Sequence, residues 1–147
     1  MNFRYLIPEK IFNELQAVLE EADKKIIAGW LFAARRDNFA IVSGFEITSN
    51  DAKSHEKPKS WMRLKKDKIH QMRKYKEEDG HDIVWQIHSH PSGKKELHDM
   101  DLQILSYLST GVMIILVKGS ILGWYYDKRD SKKPVIERMD FEIVSEI

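Results

Sequence analysis

A chain of 147 residues suits one domain with its own hydrophobic core. A net charge of +1 and 42% hydrophobic residues are ordinary for a globular protein and exclude any bulk electrostatic draw to nucleic acid; only local clustering of charge would supply one. With no cysteine, a disulfide framework and a thiolate metal site are both excluded, so a metal would have to rest on His and Asp or Glu. That composition fits a reducing compartment. The opening Met1-Asn2-Phe3-Arg4-Tyr5 has no signal-peptide-like apolar run, and Val112 to Val117 is too short to span a bilayer, so the chain reads as cytoplasmic.

Residues 8–24 read as a first helix. Ile11, Leu15, Leu19 and Ala22 follow the i, i+4 rhythm, Phe12 and Val18 widen the stripe, and Pro8 suits the first turn. Residues 26–33 are short, uncharged and strand-like, and Arg35-Arg36-Asp37-Asn38 is a turn signal. Residues 39–48 make a second strand, paired with the first as a hairpin. A polar loop over 49–60 leads to a basic helical pattern over 61–78, which Asp79-Gly80 ends. A third strand spans 82–88. Pro91-Ser92-Gly93 forces a turn, and 99–109 reads as a helix with Leu102, Leu105 and Leu108 facing the core. Strands follow at 112–117, 121–127 and 134–144. Strands interrupted by three helices predict an α/β sandwich around one mixed sheet, with no repeat and no domain boundary.

The chemistry concentrates in His88-Ser89-His90-Pro91-Ser92-Gly93, with Asp101 following. Two histidines at i and i+2 on an extended segment point to one face. A carboxylate at the start of the next helix can swing back toward them. Two imidazoles and one carboxylate, with one position open, form the ligand set of catalytic zinc.

The His-Ser-His-Pro run, with Asp101 eleven residues after His90, resembles the JAMM motif of MPN (Mov34/JAB) domains. The order of elements is similar too, over essentially the whole chain. The resemblance implies a single MPN domain over 1–147, of the cytidine-deaminase-like α/β class. That fold is a three-layer sandwich with a mixed sheet flanked by helices. It further implies zinc (Zn2+) bound by His88, His90 and Asp101 with a water as fourth ligand. The activity implied is a metallopeptidase acting on an isopeptide or C-terminal peptide bond of a ubiquitin-like protein. His-Pro-Ser-Gly is also reminiscent of RadC-like relatives, which share the fold.

Two positions depart from the motif. The family's helix-start Ser is His98 here. An imidazole there can donate to an oxyanion, can act as a fourth zinc ligand at i, i+3 from Asp101, or can simply be exposed. The family's first-strand Glu, expected shortly before Gly29-Trp30-Leu31, is absent: counting back gives Ile26, and Glu20 and Glu21 come too early. Glu46 is the replacement candidate for a general base. A turn at 35–38 would set it opposite a residue between Ile26 and Gly29, and a slip of one residue would flip its face. An ordinary solvent-facing strand Glu would look the same. Glu96 is a second, weaker candidate.

From Lys59 to Lys76 there are eight Lys or Arg and one acid, Asp67. Such a run is a solvated helix face or a surface for an acidic partner. Trp61, Met62 and Tyr75 would anchor it. Two alternatives to the peptidase remain open in sequence: an MPN scaffold that binds a partner without turnover, and a RadC-like nucleic-acid-associated domain.

Overall fold

The computed structural model describes residues 3–52, 70–97, 110–129 and 135–145. Its elements run β1 (Arg4–Pro8), α1 (Glu9–Ala22), β2 (Ile26–Arg35), β3 (Phe39–Ala52), a helical stretch α2 over 70–77, β4 (Ile83–Ser89), β5 (Thr110–Val117), β6 (Ser120–Asp127) and β7 (Val135–Val144). The predicted helix over 99–109 lies outside the described residues.

The strands close into one mixed barrel in the order β1-β3-β2-β4-β5-β6-β7, with β1 pairing back onto β7. This overturns the three-layer sandwich expected from the element order and from the family resemblance. The closing piece is β1, whose first four residues fall before the first predicted element and whose last, Pro8, opens the predicted first helix. It pairs in parallel with both neighbours, Tyr5 with Ala40 on one side and with Phe141 on the other. Parallel pairing between residues so far apart in sequence leaves no turn signal to read. An exposed Arg4–Glu142 ion pair at 2.8 Å ties the same two strands, adding little stability at the surface.

The inner face of the barrel and α1 bury one apolar cluster. Phe12, Leu15 and Leu19, at i, i+3 and i+7 on α1, meet Ile27, Leu31, Ile87, Ile114 and Leu116. This is the predicted stripe of the first helix, now resting against a curved sheet. Glu9 favours the N-terminal turn electrostatically.

Alternation puts the remaining large residues on the outer face. Trp30, Phe32 and Val84 pack against Tyr75 of α2. The Trp30 indole Nε1–H donates to the Gln71 Oε1 at 2.9 Å, fastening α2 to β2. Tyr75 is therefore an anchor, as its place among the charges predicts; Trp61 and Met62 lie outside the described residues. Further along the outer face, Met113, Ile115, Val117 and Tyr126 form a second cluster with Leu97 and Trp124.

The β2–β3 hairpin turns where predicted, with the Arg36 N–H donating to the Phe39 carbonyl at 2.8 Å. Its register does not run straight. Arg35↔Ala40 through Ala33↔Val42 pair in step, then Phe32 pairs with Gly44, so Ser43 is an extra residue. Gly29 explains how tightly β3 then crosses: a Cβ there would press on the Glu46 carbonyl oxygen and stand 2.8 Å from the Ile47 Cα.

Candidate metal centre

β4 runs between antiparallel β2 and parallel β5, with His88 aligned to Ala28 and Ile115. Ile115 belongs to the outer cluster and Ile87 to the inner one, so His88 looks outward. Ser89 follows on the inner face, fully buried, and its Oγ accepts the Ile27 N–H at 2.9 Å. That bond lies one step past Ala28↔His88, where the β2–β4 pairing ends. The hydroxyl thus extends the ladder by one rung and holds β4 straight through its last residue.

His90 leaves the strand but not the sheet: its N–H donates to the Leu116 carbonyl at 3.1 Å. The chain then turns at once. Gly93 N–H donates back to the His90 carbonyl at 2.9 Å, with Pro91 and Ser92 at the centre and Gly93 at φ 82°. Proline at the second position and glycine at the fourth suit this turn. The turn returns the Lys94 carbonyl to the His90 ring, 2.9 Å from Nδ1.

The two imidazoles converge. His88 Nε2 and His90 Nε2 stand 3.2 Å apart, and the rings are tilted by 57° with centroids 5.1 Å apart. Two imidazole nitrogens bound to one tetrahedral zinc at ordinary bond lengths would be about 3.3 Å apart. That is hydrogen-bond distance between the two rings, and it also matches the spacing that a shared divalent ion would set. His90 also has the outer hydrogen bond that metal-ligating histidines characteristically make, from the far ring nitrogen to a backbone carbonyl. The donor set fits zinc through His88 and His90. Among the described residues no group of three His, Cys, Asp or Glu forms a metal site; Asp101 and His98 lie outside the described residues.

Glu46 pairs with Trp30, not with a residue between Ile26 and Gly29 as the sequence predicts. The Ser43 bulge is the reason. Without it Glu46 would stand opposite Gly29, on the inner face; with it, Glu46 joins Trp30 on the outer face. Trp30 in turn pairs with Gln86, two residues before His88. The carboxylate and the imidazoles therefore share one face of the sheet. Their backbones are separated by two strand spacings, about 10 Å, and by two residues along the strands, about 7 Å.

Tyr75 completes this surface. Burial pushes its hydroxyl up to about 12, reinforced by the nearby negative charge of Glu46. Nothing in the spacing of Tyr75 in the sequence places it near Glu46. Glu96 is exposed in the segment after the turn. In the described end of the basic stretch Arg73, Lys74 and Lys76 are exposed, as are Glu77, Glu78 and Asp79 that follow.

No family model and no curated protein matches this chain. Among solved structures, the solution structure of protein DSY2949 from Desulfitobacterium hafniense is similar. It aligns with a TM-score of 0.63 at 15% identity, over 97% of this chain and 94% of that one. The likeness is one of fold. Among the described residues, no helix is long and apolar enough to cross a membrane.

Proposed function

We propose that the chain is a zinc metallopeptidase that hydrolyses an isopeptide or C-terminal peptide bond of a ubiquitin-like protein, and that it works in the cytoplasm. The observation that carries this reading is the His88–His90 pair, its Nε2 atoms 3.2 Å apart and the far nitrogen of His90 bonded to the Lys94 carbonyl. The barrel is not the architecture the JAMM resemblance implies, so the reading rests on the motif and on this geometry. His88, His90 and Asp101 would hold the ion. Zinc in such a site supplies Lewis acidity to the scissile carbonyl and acidifies water.

The chain's own residues divide the rest of the work. Glu46, on the imidazole face, takes the proton of the attacking water and passes it to the leaving amine nitrogen as the C–N bond breaks. The Tyr75 hydroxyl lies near that carboxylate on the same face. His98 donates a hydrogen bond to the carbonyl oxygen as negative charge develops on it. The outer wall of Met113 and Ile115 keeps one side of the site dry. The substrate's C-terminal tail lies extended beside the sheet, and the basic stretch meets acidic residues of the partner.

The test is cleavage of a ubiquitin-like C-terminal fusion and of an isopeptide-linked substrate by the zinc-loaded protein. The reading expects turnover that is lost on chelation and in His88→Ala, and that falls by two orders of magnitude or more in Glu46→Gln with zinc still bound, about the range of general-base catalysis. Unchanged cleavage in Glu46→Gln would remove Glu46 from the mechanism. The lack of an acid shortly before Gly29-Trp30-Leu31 favours a second reading, a zinc-bearing module that grips a modifier tail without turnover. Tail binding with no cleavage by the zinc-loaded chain would select it.

A further inference from the structure

We infer that the turn from Pro91 to Lys94 selects which ring nitrogen of His90 faces the ion, and that Gly93 is its positioning residue. The inference rests on the metal-centre reading and adds a device to it.

A carbonyl oxygen only accepts hydrogen bonds. The contact between His90 Nδ1 and the Lys94 carbonyl at 2.9 Å therefore puts a proton on Nδ1. In the neutral ring, the lone pair is then on Nε2, the nitrogen directed at His88. The stem of the residue is fixed separately: His90 is 1% exposed and its backbone is bonded to Leu116. Stem and Nδ1 together leave the ring one orientation and one tautomer before any ion arrives.

The turn is what brings the Lys94 carbonyl there. Pro91 fixes the first bend, the His90–Gly93 hydrogen bond closes it, and Gly93 at φ 82° aims the next peptide back at the ring. Side chains other than glycine resist that φ, asparagine and aspartate least. A Cβ at Gly93 would meet nothing within 4 Å. Substitution there therefore acts through the backbone angle alone, with no change in core packing. Gly93→Ala should swing the Lys94 carbonyl off Nδ1, whereas Gly93→Asn should keep it.

The experiment has two readouts on the full chain. The first is the imidazole tautomer of His90 in metal-free protein, from long-range nitrogen–proton correlation spectra. The second is zinc affinity against a chromophoric chelator. Circular dichroism melts confirm that each variant is folded. The wild type is expected to hold His90 with the proton on Nδ1 and to bind one zinc. Gly93→Ala is expected to mix the two tautomers and to weaken zinc roughly tenfold or more, the usual cost of losing an outer-shell partner. Gly93→Asn is expected to restore both.

His90 protonated on Nε2 in the wild type, or Gly93→Ala with tautomer and affinity unchanged, would overturn the inference and leave the metal centre standing. A wild type that takes no zinc, with His90 still protonated on Nδ1, would overturn the metal-centre reading and this inference with it.

Discussion

Ser89 sits between the two site histidines but on the opposite face, and replacing it tests how the strand end is held. The Ser89 side chain is 0% exposed and Ile27, whose N–H it accepts at 2.9 Å, is 1% exposed. Ser89→Ala removes the acceptor and leaves a backbone donor in a dry site. Stranding a buried donor costs about 1–3 kcal/mol. The lost hydroxyl is a small volume, so the cavity contribution is minor beside that. For a domain of this size each kcal/mol lowers Tm by about 2–4 °C, so the melt should fall by roughly 2–12 °C. Urea unfolding should show a lower midpoint with an unchanged slope. Ser92→Ala, on the exposed turn, is the control and should stay within about 0.5 kcal/mol of wild type. If Ser89→Ala melts with the control, the extra rung is not holding β4, and the argument for how the histidines are presented fails.

Gly29→Ala should destabilise the fold by about 3 kcal/mol or more, because backbone atoms of Glu46 and Ile47 occupy the space its Cβ needs. Gly44→Ala, whose Cβ would meet only Phe32 Cδ2 at 3.9 Å, should change stability by less than about 1 kcal/mol. Paired urea titrations separate the two, and equal effects would refute the close crossing of β2 and β3. The Tyr75 hydroxyl is raised from 10.0 to about 12 in the folded chain, so its contribution to stability is complete below pH 10 and is lost as pH climbs from 10 to 12. Urea midpoints measured across that window should drop less in Tyr75→Phe than in wild type; parallel curves would mean that Tyr75 does not titrate there.

The sequence makes legible what is local. The α1 stripe, the hairpin turn at 35–38 and strands β2, β4, β5, β6 and β7 all follow from periodicity and turn chemistry. The i, i+2 spacing of His88 and His90 on an extended segment predicts two rings on one side, and their Nε2 atoms meet at 3.2 Å. What the sequence hides is non-local or backbone-borne. β1 is five residues long and joins strands about 35 and 136 residues away, so nothing near it announces that the sheet closes. The Ser43 bulge moves Glu46 to the other face, yet a serine in a strand carries no mark of being unpaired. The Lys94 carbonyl belongs to the backbone, and no residue type encodes it. Only Gly93 in the His-Pro-Ser-Gly run hints that the chain bends back there.

The most direct test of the account is zinc X-ray absorption on the protein loaded with one equivalent of the metal. The expected result is one tightly held zinc with two imidazole nitrogens at about 2.0–2.1 Å and oxygen ligands completing the shell. His88→Ala and His90→Ala should each remove one imidazole from that shell and weaken binding sharply. Zinc that fails to bind, or that binds with the same shell in the His88→Ala, His90→Ala double variant, would contradict it.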